Sequence, residues 1–324
     1  MKEITYLQAI NDTLREEMER DKHVILMGED IAAFEGIYKA TKGLLKKFGS
    51  ERVRDTPISE NAIIGAAIGA ALIGFRPVAE IMGMDFLNEC ADQLINHLPK
   101  IHFMSGGKLK MPVTIRCHYG TGENLGAQHT QFFPAFYMNI PGLNIALPST
   151  PYDAKGLLKT SIRGNNPTLF LETPDFYNMK GPVPIEDYTV PFGEARIVKD
   201  GDDVVIVAIS LTIPMAISAA NKLQDMGISV MIIDPRTLSP LDKGTIIKAV
   251  KKTGRILISS VDCKTGGVGA EISAIVAEEA IDYLDAPVIR IATPDIPSPF
   301  THSLLDQYMP TEQKIIDAIK KMTT

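Results

Sequence analysis

The chain has 324 residues, 45% of them hydrophobic and 22% charged, with a formal net charge of −6. That composition excludes a disordered polymer, and the length predicts two domains. The negative balance gives no electrostatic reason to expect nucleic acid or an anionic membrane as a partner. Three cysteines, Cys90, Cys117 and Cys263, are too few and too scattered for a disulfide framework or a zinc knuckle. The start, Met1-Lys2-Glu3-Ile4-Thr5, lacks the apolar stretch of a signal peptide, so a soluble, cytoplasmic protein is expected.

In chain order, Leu7, Ile10, Leu14 and Met18 fall at helical spacing and predict an amphipathic helix over residues 5–21. Residues 24–27 read as a short buried strand that ends in Gly28-Glu29-Asp30. Acids in that place either line a site at the carboxyl end of a parallel sheet or are ordinary turn residues. Next comes Asp55-Thr56-Pro57-Ile58-Ser59-Glu60, followed by residues 61–74, apolar on every face. Ser59 is a good N-cap and Gly74 a good stop, and the helix between them is expected to be buried all round, as a core or interface element. Its apolar run is too short to span a bilayer. Gly65 and Gly69 would let another backbone approach closely. On this stretch alone Glu60 reads as a complement to the helix dipole. A carboxyl at the mouth of an apolar helix would also have its pKa raised by desolvation and could exchange protons near neutral pH.

Residues 76–82 predict a second strand, 85–98 an amphipathic helix, and 112–116 a third strand. A glycine-rich loop, residues 120–131, then ends in Ala127-Gln128-His129-Thr130-Gln131. Strand 143–147, helix 152–163 and strand 168–171 continue the alternation, which indicates a mostly parallel sheet with helices on both faces. Residues 174–191 hold four prolines and little periodicity, which suits an interdomain connection. Beyond it, strands at 204–209, 230–233, 256–259 and 288–291 alternate with helices at 214–227, 241–252 and 270–281. The fold class is therefore α/β, with two doubly wound domains.

Neither a Gly-x-Gly-x-x-Gly after a strand nor a glycine-rich phosphate loop with Lys-Ser/Thr occurs, so a self-contained nucleotide site is not expected. Gly266-Gly267-Val268-Gly269 opens a helix and could hold an anion, or simply allow a tight turn into it. Gly201-Asp202-Asp203 reads as a hairpin-like turn. His97 and His102 are five apart and would face different sides of a helix, so no metal signature forms. His129 stands on a loop at a strand end, where it is either a solvent-facing polar residue or a catalytic group within reach of substrate.

Taken together, several stretches resemble one family. They are Ile58-Ser59-Glu60 with its glycine-alanine helix, Met104-Ser105-Gly106-Gly107, Ala127-Gln128-His129-Thr130-Gln131 and Ile140-Pro141-Gly142-Leu143. Asp153-Ala154-Lys155-Gly156-Leu157-Leu158 and Gly266-Gly267-Val268-Gly269-Ala270-Glu271-Ile272 belong to the same set. The family is the β subunits of thiamine-diphosphate-dependent pyruvate, branched-chain 2-oxo acid and acetoin dehydrogenases, and the resemblance runs from Glu29 to the last helix. It implies a pyrimidine-binding domain over residues 1–185 and a transketolase-C-terminal-like domain over 192–324.

The resemblance also implies an α subunit that brings the Mg²⁺ and diphosphate motif missing here, giving an α₂β₂ tetramer with a second β subunit. Further implied partners are a lipoyl-bearing acyltransferase and a small 2-oxo acid or acetoin. Glu60 would hydrogen-bond N1′ of the cofactor's aminopyrimidine and favour the imino tautomer that produces the ylid. His129 would serve the steps around reductive acylation of the lipoyl group. Phe86 and Met82 would contact the cofactor, and Glu29 would be among the acids that connect the two active sites. Val113, Ser161, Ile162, Gly164 and Asn166 match positions whose backbone carbonyls hold potassium in some relatives. Gly83-Met84, Glu123-Asn124-Leu125 and Thr130 depart from the family pattern. Residues 177–181, 233–242 and 306–311 look most like acetoin dehydrogenases. The alternative is a scaffold that docks to the acyltransferase core without chemistry; a self-contained transketolase-like enzyme is disfavoured by the missing diphosphate motif.

Overall fold

The computed structural model describes residues 1–120 and 125–323. They fall into two compact units, one of residues 1–120 and Tyr137–Phe192, the other of residues 125–136 and 193–323. The first unit holds β1 (Lys2–Thr5), β2 (Val24–Gly28), β3 (Val53–Asp55), β4 (Arg76–Ile81), β5 (Thr114–His118), β6 (Asn144–Ala146), β7 (Thr168–Glu172) and β8 (Lys180–Val183). Its central strands lie side by side in the order β6-β7-β5-β4-β2-β3, every pair parallel. β2 and β7 are buried along their whole length, because helices cover both faces of such a sheet.

The first helix, Tyr6–Arg20, begins at Thr5 in a full capping box with Gln8. Its polar side is not all solvated: the Glu17 side chain is fully buried and receives Arg163 from the Pro151–Arg163 helix through Nη2 (2.6 Å) and Nε (3.0 Å).

Four expectations need correction. Residues 85–98 form not one α-helix but a 3₁₀ helix, Met84–Cys90, and a π-helix, Asp92–His97. The apolar spacing explains it. Met84, Leu87 and Cys90 are three apart, whereas Cys90, Leu94 and Leu98 are four apart, so winding tightly and then loosely keeps all five buried. Residues 174–191 are not a bare connection. They carry β8, antiparallel to β1, and bury Phe176 and Tyr177, whose rings lie 6.2 and 6.1 Å from that of Tyr6. Their apolar anchors are isolated rather than periodic because prolines set the path between them.

The third correction concerns the Glu60–Leu72 helix. It buries Ile63, Ile64, Ala67, Ile68 and Ala71, but Ala62, Ala66, Gly69 and Leu72 on the other side are exposed, as is Ile73 just beyond. Uniform apolarity carries no information about which face a single chain covers. Ser59 is the N-cap residue, yet its side chain makes no capping hydrogen bond. Gly74 ends the helix with φ +100°, and its N–H bonds the Ala71 carbonyl at 3.1 Å.

The second unit contains β9 (Arg196–Lys199), β10 (Val204–Ala208), β11 (Val230–Asp234), the three-residue β12 (Thr237–Ser239), β13 (Ile256–Cys263) and β14 (Ile289–Thr293). The sheet order is β14-β13-β10-β11-β9, with only β9 antiparallel. Gly201-Asp202-Asp203 therefore links β9 to β10 without making a hairpin, since β9 pairs with β11. The closing helix, Glu312–Thr323, lays Ile315, Ile316 and Ile319 into a core shared with Ala216 and Ala220 of the Thr212–Gln224 helix. Among the described residues no helix is long and apolar enough to cross a membrane.

Arg163→Ala should leave Glu17 a buried carboxylate held by Arg20 alone (2.8 Å). Truncating one partner of a buried pair costs about 3–5 kcal/mol, and the Arg20 contact should bring the loss to the low end. Urea unfolding would measure it, and Arg163→Met with Glu17→Leu should recover most of the stability.

Candidate active site

The two acids singled out by sequence meet at one end of the first unit's sheet. β2 passes so close to β4 that a Cβ at Gly28 would lie 2.8 Å from the Glu80 carbonyl oxygen. The chain then turns through Glu29 and Asp30, and the turn is pinned by Asp55, whose carboxylate accepts from the N–H groups of Ala32 (2.6 Å) and Ala33 (3.0 Å). Thr56 N–H bonds the Gly28 carbonyl at 3.0 Å, which brings the segment leading to Glu60 beside the same turn. Glu29 is half-buried, and its carboxyl is pushed up by burial first and then by the negative charges of Glu60 and Asp30. Thr56 Oγ1 is buried there without a hydrogen-bond partner among the described residues.

Met82 and Phe86 follow β4. Gly83, at φ +110°, makes the turn between them, and a Cβ on it would lie 3.2 Å from Phe86 Cδ2. Glycine is required here both for the backbone angle and for the ring beside it. The same absent Cβ would lie 3.9 Å from Nε2 of His118, at the end of β5. His118 meets Tyr38 edge-on, ring centres 5.1 Å apart. Burial, and then the charge of Arg116, push its pKa down to about 4, so it is neutral at neutral pH. Sequence reasoning passed over His118 and Tyr38; the signal was a histidine at the end of an otherwise buried central strand.

Beneath these loops Arg116 reaches Glu80 (2.5 Å) and Glu172. Arg116 and Glu172 are almost wholly buried, and burial pushes the Glu172 carboxyl up to about 7 against the pull of Arg116. A charged residue inside each of three buried strands was visible in the sequence and was not read as a network.

His129 belongs to the second unit. It is exposed on a turn in which its own N–H bonds the Gly126 carbonyl at 3.4 Å, and Thr130 Oγ1 bonds the same carbonyl at 2.6 Å. Residues 123 and 124 of the unusual Glu123-Asn124-Leu125 stretch lie outside the described residues; Leu125 is exposed. The Gly266–Gly269 loop is served from within: Asp262 accepts the Val268 N–H at 2.6 Å, which puts the chain's own carboxylate at that helix start.

The five carbonyls suggested for potassium are already engaged in part. Val113 accepts the Thr168 N–H at 3.0 Å, Ile162 accepts Arg76 Nε at 2.8 Å, and Gly164 accepts Arg76 Nη2. A further cation would face that guanidinium, so the set as it stands fits potassium poorly. Among the described residues no group of three or more His, Cys, Asp or Glu is placed to hold a metal ion.

For thiamine diphosphate the test is the pyrimidine end. Two adjacent carboxyls, an orphan hydroxyl and an aromatic ring fit a flat heterocycle carrying both donors and acceptors.

Two family-model matches make this a transketolase-type protein. Residues 2–178 match the transketolase pyrimidine-binding domain and residues 193–315 the transketolase C-terminal domain. A solved split-gene transketolase, described as an inactive β₄ tetramer, shares the fold with a TM-score of 0.81 at 20% identity, over 99% of this chain and 98% of that one. Closer in sequence is the 2-oxoisovalerate dehydrogenase subunit beta of Bacillus subtilis, 42% identical over 99% of both chains. The pyruvate dehydrogenase E1 component subunit beta of Rickettsia felis is 43% identical over 99% of this chain and 98% of its own. The acetoin:2,6-dichlorophenolindophenol oxidoreductase subunit beta of Bacillus subtilis is 43% identical over 97% and 95%. The chain belongs to the β subunits of the thiamine-diphosphate-dependent dehydrogenases, a family of oxidoreductases.

The Glu172 carboxyl has a direct consequence for stability. Its folded pKa of about 7 lies above the ordinary 4.5, so its contribution is full below about 4.5 and is lost as pH rises to about 7. Glu172→Gln mimics the protonated form. Its stability relative to wild type should climb across that window, by at most about 1.4 kcal/mol per pH unit, and then level off. Thermal unfolding of both proteins at a series of pH values would show the crossing; parallel curves would mean that Glu172 does not titrate there.

Proposed function

We propose that this chain supplies the pyrimidine-side half of a thiamine-diphosphate active site, with Glu60 and His129 as its catalytic residues. Domains are proposed at 1–185 and 192–324; Glu60 and His129 both fall within the first range, although residues 125–136, which carry His129, group with the second compact unit. The observation that carries the reading is the meeting of Glu29 and Glu60 at the start of the apolar helix, with the Gly83–Phe86 turn following the neighbouring strand.

Bound thiamine diphosphate supplies the carbon nucleophile and electron sink for cleaving a bond next to a carbonyl. Glu60 would share a hydrogen bond with N1′ of the aminopyrimidine. Glu29 would hold negative charge nearby and set how readily a proton stays between them. Phe86 and Met82 would offer the apolar surface against which the heterocycle lies. His129, on an exposed turn, would serve acyl transfer to the lipoyl group of an acyltransferase partner. Mg²⁺ and the diphosphate fall to an α subunit, since this sequence carries no motif for them. Potassium at the Val113, Ser161, Ile162, Gly164 and Asn166 carbonyls would have to share two of them with Arg76. Substrates are small 2-oxo acids or acetoin; pocket size separates such groups by only about 1–3 kcal/mol, and the α chain shapes the same pocket. Turnover of the co-purified α and β chains with pyruvate, acetoin and branched 2-oxo acids in parallel tests the reading.

Glu60→Gln should fold normally yet nearly abolish activity, with slow exchange of the C2 proton of bound cofactor. Wild-type exchange in the variant would remove Glu60 from its role. His129→Ala should retain more decarboxylation with an artificial electron acceptor than transfer to lipoyl; equal losses would place His129 earlier in the sequence of steps.

The exposed side of the Glu60–Leu72 helix is the surface we assign to a second β chain, completing α₂β₂. A Cβ at Gly69 would meet nothing within 4 Å inside this chain. Gly69→Leu should therefore leave the isolated fold intact and overpack only the assembly, at a cost of about 1–3 kcal/mol. Sedimentation velocity with and without the α chain reads the result, and a stable wild-type monomer that binds the cofactor tightly by itself would end the proposal.

A further inference from the structure

The second unit contains a cavity of about 730 Å³ that no residue named above as catalytic or cofactor-binding lines. It opens at the carboxyl ends of β13 and β14, where Cys263, Thr265, Thr293 and Asp295 leave the sheet, and it is closed by Gln128, Gln131 and Phe132 of the His129 turn. Crevices at the carboxyl ends of parallel strands are where open α/β sheets take ligands. The volume lies within the range of small-molecule sites, about 300–1,000 Å³.

Two features of the wall point to an occupant. Ser298 is only 6% exposed, lines the cavity, and its Oγ has no hydrogen-bond partner among the described residues. A buried hydroxyl left unpaired is destabilising, and a ligand polar atom would recover that loss. The charge of the lining is the second feature. Among the described residues Asp295 is the one carboxylate of the lining, and it is held by Thr265 through N–H (3.1 Å) and Oγ1 (2.6 Å). Among the described residues no lysine, arginine or histidine lines the cavity, and Phe132, Ile296, Pro297 and Tyr308 give it apolar walls. Burial pushes the Cys263 thiol and the Tyr308 hydroxyl up, so both stay neutral.

We propose that this cavity is a second small-molecule site for an uncharged, part-apolar ligand with one hydrogen-bonding group, of the class of a short alkyl amide or alcohol, anchored on Ser298. Anions such as carboxylates and phosphates are excluded by Asp295 and by the absence of a lining cation. The site differs in kind from the cofactor site, because its residues all belong to the second unit. Since five lining residues (127, 128 and 131–133) flank His129, an occupant would hold that turn in one arrangement.

Three probes of matched length test it on the full chain, with and without its α partner: N-butylacetamide, hexanoate and hexylamine. Saturation-transfer NMR should show binding of the amide and none of hexanoate, with hexylamine weaker than the amide. Hydrogen exchange across residues 125–133 should slow when the amide is added. Ser298→Ala should weaken amide binding about fivefold, and Ser298→Met should abolish it by filling the space. Cys263→Leu fills space from an exposed lining position and should also abolish binding, so the test survives if Ser298→Met does not fold. Hexanoate binding as well as the amide, hexylamine binding better than it, binding undiminished in the filled variants, or no binding of the amide would each overturn the proposal.

Discussion

Arg116 lies near the middle of the first unit's sheet and shares its guanidinium between Glu80 of β4 and Glu172 of β7. An ion this deep is tolerated because each terminal nitrogen of the guanidinium finds a carboxyl group, Glu80 on one side and Glu172 on the other. The bond to Glu80 ties β4 to β5 and the bond to Glu172 ties β5 to β7, close to the ends from which the working loops depart. Met82, Gly83 and Phe86 leave β4 two to six residues after Glu80, and His118 ends β5 two residues after Arg116. A shift of that guanidinium would therefore move the Phe86 turn and His118 together. Replacing the trio by apolar residues would probe stability alone; what the ions add is a fixed register among three strands whose neighbouring side chains are otherwise interchangeable aliphatics.

The strands were legible because each is a short run with no polar interruption, bounded by turn residues. Val204–Ala208 and Val230–Asp234 fall within a residue of expectation. Uniform apolarity misled where it carried no direction: the Glu60–Leu72 helix reads the same on every face, so nothing in it told which side the chain itself would cover. The 84–98 stretch failed for a different reason. Its apolar residues change spacing from three to four at Cys90, and an average over the window resembles an ordinary helix. The segment 174–191 reads as a linker because prolines erase periodicity, although Phe176 and Val183 are buried.

The acids divide in the same way. Glu60 was visible because it interrupts nothing but begins everything, a lone carboxyl before an apolar run. Glu29 was ambiguous as a turn residue until Asp55 and Gly28 were seen to fold its loop against the start of that helix. His118 and Ser298 left almost no trace, since one histidine at a strand end and one serine among prolines are commonplace. Only their surroundings, a glycine turn in one case and a cavity in the other, make them distinctive.

On the proposed reading the Glu60–Leu72 helix would join two functions that a self-sufficient enzyme would keep apart. Its first residue is the one proposed to meet the aminopyrimidine, and its far side, Ala62, Ala66, Gly69 and Leu72, stays uncovered. A helix is stiff along its axis, so a neighbour seated on that side would hold the position of Glu60 at the other end of the same rod. Tolerance for a weakly packed helix disappears once the carboxyl must keep a hydrogen bond to within a few tenths of an ångström. Small residues on the open side answer that demand: they admit a second backbone closely enough for dispersion forces to fix the rod, without long side chains whose rotamers would loosen it. The apolar surface that looks wasteful in one chain is then what makes a shared site accurate.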